Sequence, residues 1–388
     1  MYGCVTGFLS DGGDVHCEQI TLRSTDPGQT ARRLVTLFGL ERPALPFPAT
    51  AGSTDFFVGG TRLAIDKVQT LAPARSGEVI VDDIAIATDD FDACYRRAIR
   101  SGAAVLQAPS ILFGAHSHGI DVRTARVQPE GLPPHTLVGR MPGRSSRGRA
   151  RHRPAVETKH VLANIDHLAF CLPPSALDAA TRFAQDVLGF DAVYSDTIET
   201  GGFGLVTRVV RSKNAAITYV LNCPLAHCRR SHIDDFIDKH GAGVQHIAFG
   251  VSDIFRFAQR LSHTPFRFLR PPEDVYASMA RRLSDRSALA RASTSSVMLD
   301  EDEDGQLAQA FVTPFSDDTA SLFLEFIERR GSRGFGAGNI KDLFSAAEKK
   351  MRAAVASAPE PAVYDATPRP TAPNRATPPQ AQSSMRGR

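Results

Sequence analysis

The sequence predicts an α+β fold in two domains built from duplicated strand–helix–strand modules. Short runs that alternate apolar and polar residues, as strands do, are separated by stretches with helical periodicity. The order of these segments in the first half of the chain recurs in the second half. Between the halves lies a stretch rich in Arg, Gly and Ser, residues 138–160, which we predict to be an exposed basic linker.

The first module follows glycine-rich residues 1–14, which we expect to be disordered. From Val15 the sequence alternates as a strand, and residues 30–38 then show the periodicity of a helix. Gly39 is expected to end this helix, because glycine readily adopts the left-handed conformation common at helix C-termini.

Further elements of the first half follow the same alternation rule. Residues 55–58 and 61–65 alternate and predict two strands. Residues 79–88 begin a second unit, with a strand there, a helix over residues 91–100 and a strand over residues 103–106.

The second half repeats this order closely enough to be aligned. Residues 181–190 match residues 30–40, and residues 244–248 match residues 81–85. The repeat indicates that one module type was used in both halves.

In this alignment Gln19 falls at the position of His167, and Asp83 falls at the position of His246. Only the second copy has both histidines, so we predict an N-terminal scaffold domain and a C-terminal catalytic domain. Their predicted limits are residues 15–137 and 161–350.

The distribution of charge argues against a nucleic-acid-binding protein. The formal net charge is +3, but residues 140–159 hold seven basic residues against one acidic residue, and the tail, residues 351–388, holds five against two. The body of the chain is therefore acidic. The tail is rich in Ala and Pro, and we predict that it is disordered.

Cysteine usage and hydropathy predict a cytoplasmic protein. The six cysteines form no Cys-x-x-Cys pair and follow no apolar leader, so we expect reduced thiols. Cys223 and Cys228 lack a second pair for a structural zinc site and are predicted to be unreactive. No apolar stretch is long enough to cross a membrane.

Three residues inside alternating apolar runs are of types that bind metals: His167, His246 and Glu325. The interval between them is 79 residues in both cases. Two histidines and one carboxylate from three strands form the ligand set of a facial-triad Fe(II) oxygenase, which leaves coordination positions open. An ionised Glu325 in an apolar run also needs a partner, because an unpaired buried carboxylate costs several kcal/mol.

Each of these candidates is weak when taken alone, since a histidine on an apolar strand is more often a core residue than a ligand. Glu328 faces the opposite side of its strand from Glu325, and we expect it to be a surface acid near Arg329 and Arg330. Three histidines in polar loops are expected to face solvent: His160, His227 and His240.

Five segments of the second half are distinctive: IDH at 165–167, GAGVQHIA at 241–248, DEDGQLAQ at 302–309, LFLEFIER at 322–329 and GFGAGN at 334–339. Together they resemble the family of 4-hydroxyphenylpyruvate dioxygenase and 4-hydroxymandelate synthase, within the vicinal oxygen chelate superfamily. The resemblance covers residues 164–345, whereas residues 15–137 match only in the pattern of modules.

The resemblance implies βαβββ modules and, in the C-terminal domain, an open barrel of mixed strands that holds the metal. It implies Fe(II) bound by His167, His246 and Glu325, with an aryl 2-oxo acid and dioxygen as substrates, and a homodimer or homotetramer. The implied reaction converts 4-hydroxyphenylpyruvate to homogentisate in tyrosine catabolism. Two alternatives stay open: formation of 4-hydroxymandelate from the same substrate, and a non-catalytic metal-binding paralogue.

Six residues are candidates for contacts with the substrate. Gln245 and Gln309 place amides inside apolar strands, where a substrate would supply hydrogen-bond partners. Phe335 lies between glycines and is interpreted as a lid aromatic that closes with a helix over residues 339–350. The other three candidates are Thr207, Asn222 and Ile340.

Several of these positions differ from the usual pattern of the family. Asn222 matches the dioxygenases, but Val220 stands where they usually have proline and Thr207 where both groups have serine. His232 replaces a glutamine, and Ile340 replaces a phenylalanine of the dioxygenases while matching the synthases. Simple packing of Thr207 and a turn at Asn222 remain the alternative interpretations.

Overall fold

The computed structural model describes residues 15–39, 54–67, 78–112, 121–141, 162–316 and 320–356. Two mixed sheets dominate this part of the chain, one in each half, and confirm the α+β fold of duplicated modules. The predicted disorder of residues 1–14, and most of the predicted linker and tail, lie outside the described residues. No helix among the described residues is long and apolar enough to cross a membrane.

The first sheet comprises β1 (Val15–Ser24), β2 (Thr54–Val58), β3 (Thr61–Lys67), β4 (Val79–Thr88), β5 (Ala104–Leu112), β6 (Val122–Gln128) and β7 (His135–Arg140). These strands lie in the order β2-β3-β1-β4-β7-β6-β5. Helices α1 (Pro27–Phe38) and α2 (Phe91–Arg100) connect them, and α1 ends at Gly39 with φ 64°, as predicted. Strand β5 is longer than predicted, and β7 continues three residues into the predicted linker.

The second sheet comprises β8 (Leu162–Cys171), β9 (Asp191–Thr200), β10 (Phe203–Arg211), β11 (Thr218–Pro224), β12 (Gly243–Val251), β13 (Met298–Asp302), β14 (Gly305–Val312) and β15 (Phe323–Arg330). Their order is β13-β14-β15-β12-β8-β11-β10-β9, so β13 and β9 are edges and the predicted barrel is open. The helices are α3 (Leu177–Arg182) with a π-helical turn (Phe183–Val187), α4 (His232–His240), α5 (Ile254–Leu261), α6 (Glu273–Arg282), α7 (Leu289–Ser295) and α8 (Ala337–Ala356). Helix α8 extends into the tail predicted to be disordered.

The register of the two sheets agrees with the sequence repeat. In the second sheet, His167 on β8 pairs with Ala248 on β12, and Ala169 pairs with His246. The two histidines are therefore offset by two residues across an antiparallel pair.

The first sheet has the same offset between β1 and β4. Gln19 pairs with Ala85, and Thr21 pairs with Asp83. Gln19 and Asp83 thus occupy the places of the two histidines, as the alignment predicts. In the second sheet Glu325 on β15 pairs with Ala248 on β12, and in the first sheet Thr136 on β7 pairs with Ala85 on β4. Thr136 therefore takes the place of the acid.

The N-terminal counterpart of the three-residue site contains an ion pair. Arg126 on β6 places its Nε 2.8 Å from the Asp83 carboxylate and also contacts Asp82. Burial raises the pKa of Asp83, whereas the hydrogen bonds from Arg126 and Thr136 oppose this effect. A guanidinium group therefore compensates the acid on the N-terminal side.

A hydrophobic core joins the two sheets. The rings of Phe38 and Phe249, one from each half, lie 5.1 Å apart. His135 on β7 is fully buried, with its Nδ1 2.8 Å from the Pro133 carbonyl and its Nε2 2.9 Å from the Tyr219 hydroxyl on β11. Because the carbonyl only accepts, Nδ1 donates and Nε2 accepts from Tyr219. The predicted division into two domains stays a prediction.

We expect the buried His135 to make stability depend on pH. Burial lowers the pKa of His135 from 6.5 to about 4, so the folded protein favours the neutral ring. In the unfolded chain His135 binds a proton as the pH falls through 6.5, whereas in the folded protein it does so only near pH 4. The contribution of His135 to the free energy of unfolding is therefore complete above pH 6.5 and is lost as the pH falls to about 4. One pKa unit corresponds to about 1.4 kcal/mol, so the shift from 6.5 to about 4 lowers the free energy of unfolding by about 3 kcal/mol in acid.

This expectation is checked by urea unfolding of the wild type and of His135→Gln at several pH values. The free energy of unfolding of the wild type should fall more steeply with acid than that of the variant. Equal slopes for the two proteins would contradict the assignment of the effect to His135.

Candidate metal centre

Three side chains from neighbouring strands converge on one point inside the open barrel. His167 Nε2 lies 3.3 Å, and His246 Nε2 lies 3.2 Å, from the same carboxylate oxygen of Glu325. One ligand atom from each residue lies within 4.8 Å of the other two. The structure therefore brings together the three metal-binding candidates of the sequence.

The convergence follows from the sheet. Strand β12 lies between β8 and β15, and its partners place the three side chains on the same face. The register shifts between Val244 and His246, so Gln245 is the additional residue of a bulge. Bulges redirect side chains next to functional sites, and this one leaves Gln245 buried beside His246.

The three groups share charge in a buried environment. Glu325 is 1% exposed, and although burial favours its neutral form, the two imidazoles outweigh burial and lower its pKa. Burial also lowers the pKa of His167, but Glu325 and Asp166 outweigh it and raise this pKa to about 9. Burial lowers the pKa of His246. The site therefore stabilises an anionic carboxylate, which a metal ligand must provide.

The donor set fits a divalent transition metal. Two imidazole nitrogens and one carboxylate oxygen are the ligands of facial-triad sites, and the remaining coordination positions are left for other molecules. A bound cation would also compensate the buried carboxylate of Glu325.

A second layer of contacts orients His167. Its Nδ1 lies 2.9 Å from a carboxylate oxygen of Asp166, and Arg329 binds the same carboxylate through two hydrogen bonds of 2.8 and 2.9 Å. Burial raises the pKa of Asp166, but Arg329 and His167 outweigh it and hold this pKa well below its usual range. Asp166 therefore holds a proton on Nδ1, and Nε2, which faces Glu325, is the nitrogen placed to bind a metal once it loses its proton.

We expect Asp166→Asn to weaken metal affinity by about 10–100-fold, because outer contacts of this kind orient the ligand and raise its basicity. Calorimetric titration with Fe(II) or Co(II) under argon measures the change. Asp178→Asn is the control, since Asp178 is an exposed acid that pairs only with Arg208 among the described ion pairs. Equal affinity in the wild type and Asp166→Asn would show that Asp166 does not orient His167.

A chain of hydrogen bonds from helix α6 ends at the other ligand candidate, Glu325. Arg282 donates to the side-chain oxygen Oδ1 of Asn339, Asn339 Nδ2 donates to Gln309 Oε1 at 2.7 Å, and Gln309 Nε2 donates to Glu325 Oε1 at 2.8 Å. Arginine can only donate, so it determines the orientation of both amides. Gln309, a predicted substrate contact, is thus held against Glu325, and its side-chain oxygen accepts a hydrogen bond from Asn339 in the first turn of α8.

Phe335 lies against one of the three candidate ligands. Its ring centre is 5.5 Å from that of His167, and the guanidinium of Arg329 lies 5.0 Å from the ring. Arg329 also donates to the Gly334 carbonyl at 2.7 Å. Gly336 follows with φ 74° and approaches Gln309 so closely that a side chain there would collide with it. The segment before α8 is therefore packed against His167 and Gln309.

The other predicted contacts line the same face of the barrel. Thr207 on β10 pairs with Asn222 on β11, and Asn222 pairs with Cys171, four residues beyond His167 on β8. Thr207 is buried, and Asn222 is half-buried. Ile340 packs in an apolar cluster that also contains Cys171. These residues therefore extend the site along the barrel from the metal candidates.

His232 differs from the family pattern, and the sequence predicts no role for it. It is the first residue of α4, and its side chain is exposed, although the surrounding protein and His246 lower its pKa to about 4. The amide of Gln245, the neighbour of His246, donates to the main-chain carbonyl of His232 at 3.4 Å. Sequence reasoning assigned no role to Arg329, although it lies four residues from Glu325 on the same face of β15.

Two expectations about neighbouring residues were wrong. Glu328 is 8% exposed, because its carboxylate caps α5 by accepting from the Ile254 amide at 2.9 Å. His240 is the last residue of α4 and contacts Glu78 and the Ala320 carbonyl. His227 is exposed, as expected, and His160 lies outside the described residues.

Comparisons with known proteins agree with this geometry. The profile of the Glyoxalase/Bleomycin resistance protein/Dioxygenase superfamily matches residues 164–309. The chain is 31% identical over 290 residues to 4-hydroxyphenylpyruvate dioxygenase of Neurospora crassa, covering 70% of this chain and 69% of that protein. It is 32% identical over 291 residues to the Danio rerio protein of that name, covering 70% and 72%. A mutant of 4-hydroxymandelate synthase from Streptomyces coelicolor has a similar structure, with a TM-score of 0.68 and 28% identity, over 88% of this chain and 100% of that chain.

Proposed function

The chain belongs to the family of 4-hydroxyphenylpyruvate dioxygenases and 4-hydroxymandelate synthases, and on this basis we propose that it is an Fe(II)-dependent dioxygenase acting on an aryl 2-oxo acid. Membership makes it an oxidoreductase. The observation that carries the proposal is the convergence of His167, His246 and Glu325, which is the donor set that such chemistry requires. We propose 4-hydroxyphenylpyruvate as the substrate and homogentisate as the product.

In this proposal His167, His246 and Glu325 hold the iron, which when bound supplies the redox chemistry for dioxygen and the 2-oxo acid. Asp166 keeps a proton on His167 Nδ1, so that Nε2 is the nitrogen that binds the iron after releasing its own proton. Gln309 donates to the second oxygen of Glu325 and holds the carboxylate in one orientation.

In this proposal, residues 334–336, which precede α8, exclude water from the metal site. Phe335 covers His167, and Arg329 ties this segment to Asp166 through the Gly334 carbonyl. A closed site protects reactive species from water and strengthens electrostatic interactions inside it. Thr207 and Asn222 offer a hydroxyl and an amide for a polar group of the substrate.

A specific observation also supports 4-hydroxymandelate as the product. Ile340, with the branched side chain usual in the synthases, packs in the apolar cluster beside Cys171, and Val220 packs beside Phe335. The aromatic ring of a substrate would therefore meet an aliphatic wall at these positions. Asn222, in contrast, matches the dioxygenases.

The experiment is anaerobic loading with Fe(II), followed by 4-hydroxyphenylpyruvate and a known amount of dioxygen. Oxygen uptake matched by release of carbon dioxide is the expected result, and chromatography then separates homogentisate from 4-hydroxymandelate. Binding of iron and of the 2-oxo acid without oxygen uptake would reject the enzymatic proposal and favour the non-catalytic alternative.

We also propose that the protein is a cytoplasmic homo-oligomer. Edge strand β5 leaves Val105, Leu106, Ile111 and Leu112 each more than 40% exposed, which favours association through the first sheet. The described cysteines are all free thiols, as a reducing compartment requires. Light scattering of the wild type and of Leu106→Lys tests the oligomer, and a monomeric wild type would reject it.

A further inference from the structure

A second group of potential metal ligands lies outside the barrel, at the end of the β9–β10 hairpin. Glu199 is the last but one residue of β9, and His227 and Cys228 lie in the loop between β11 and α4. His227 Nε2 is 3.2 Å from a carboxylate oxygen of Glu199. One ligand atom from each of the three residues lies within 4.8 Å of the other two.

The loop that carries two of these residues is fixed against the hairpin by its main chain. Leu225 donates to the Gly204 carbonyl at 3.1 Å, and Arg229 donates to the Gly202 carbonyl at 2.8 Å. Cys228 is half-buried over Gly204, where a Cβ would lie only 2.7 Å from the Cys228 sulfur. The main-chain contacts therefore place the three residues next to one another, and the contact between His227 and Glu199 brings two of their ligand atoms together.

We propose that Glu199, His227 and Cys228 form a second metal site that takes a thiophilic divalent cation such as Zn(II). A thiolate, an imidazole and a carboxylate suit zinc, and three protein ligands leave the fourth tetrahedral position open. The barrel site has no sulfur ligand, so a cation in the second site would differ from one in the barrel by its bond to a thiolate. Binding requires loss of the Cys228 proton to solvent, and affinity should therefore increase with pH.

The position of the site connects it with the helix that covers the barrel. The hydroxyl groups of Thr200 and Ser345 on α8 lie 3.4 Å apart, and the rings of Phe203 and Phe344 lie 5.6 Å apart. A metal that ties the hairpin to the β11–α4 loop would restrain this support of α8. Zinc should therefore slow amide exchange in residues 337–347 as well as in the hairpin itself.

Cobalt provides the test, because a thiolate bound to Co(II) gives a charge-transfer absorption band in the near ultraviolet that imidazole and carboxylate ligands do not give. The protein is titrated with Co(II) and then with Zn(II). In Glu325→Gln, whose barrel site should no longer take up cobalt, we expect the band to develop with one cobalt per chain and to disappear when zinc displaces it. Cys228→Ala should abolish the band, and His227→Gln and Glu199→Gln should each weaken cobalt binding at least tenfold.

Cys223→Ala is the matched control, since Cys223 is a buried thiol five residues earlier and should leave the band unchanged. Glu325→Gln, which alters only the barrel site, should also leave the band unchanged, so the test is independent of the proposed function. The proposal is overturned if no band develops, if the band survives Cys228→Ala, or if His227→Gln and Glu199→Gln bind cobalt as the wild type does. The last result would mean adventitious capture by one thiol.

Discussion

Replacement of Glu325 by glutamine is expected to abolish metal binding in the barrel and, with it, oxygen uptake. Glutamine keeps the shape of the side chain but removes the negative charge that lies 3.3 and 3.2 Å from the two imidazole nitrogens. Loss of an outer contact already weakens a metal site by about 10–100-fold, so loss of the charged ligand should exceed about 100-fold. Calorimetric titration with Fe(II) under argon measures the affinity, and an oxygen electrode measures uptake.

Glu328→Gln provides the control for this experiment. Glu328 is also a buried acid on β15, but it caps α5 through the Ile254 amide on the other face of the sheet. Glutamine retains an oxygen for that hydrogen bond, so stability should change by about 1 kcal/mol or less and metal affinity should not change. If Glu325→Gln bound iron as tightly as Glu328→Gln, the proposed ligand set would have to be abandoned.

The largest effect on stability is expected from Arg126→Met in the N-terminal sheet. The substitution leaves Asp83 buried, at 7% exposure, without the cation that lies 2.8 Å away. Removal of one partner from a buried pair typically costs about 3–5 kcal/mol, and the partial exposure of Arg126 places this pair near the lower limit. Urea unfolding followed by circular dichroism measures the loss of unfolding free energy.

A double substitution separates the charge from the packing. Asp83→Asn removes the unpaired charge, so Asp83→Asn with Arg126→Met should recover most of the stability lost in Arg126→Met alone. The recovery should be greatest at neutral pH, because burial raises the pKa of Asp83 and acid neutralises the carboxyl group in the single variant. If the double variant were as unstable as the single variant, packing of the arginine side chain would account for the loss.

The repeat explains why one half of the chain could be interpreted through the other. Alternation with a period of two predicts that His167, His246 and Glu325 each lie on one face of a strand, without any knowledge of the neighbouring strands. The same alignment placed Gln19 and Asp83 at the two histidine positions, and the strand register agrees with it. It did not predict that Arg126 would compensate Asp83, because that contact joins residues 43 positions apart in the chain.

Errors of sequence interpretation also have a physical cause. Glu328 was placed on the surface because it alternates away from Glu325, but that face of β15 is covered by α5. Alternation distinguishes the two faces of a strand and does not show whether the second face is also covered. The sequence predicts a polar loop at His240, whereas the structure has α4 there, and the burial of His240 depends on contacts with distant Glu78 and Ala320.

The sequence by itself determined the module order, the strands that carry the three ligand candidates and the family to which they belong, because these depend on local periodicity and on short motifs. Only the tertiary structure decided which oxygen of Glu325 faces both imidazoles, how Arg282 orients Gln309 through Asn339, and that Glu199 meets His227 and Cys228. Such contacts join segments far apart in the chain. Their distances are set by how the strands and helices pack, which no local pattern of residues specifies.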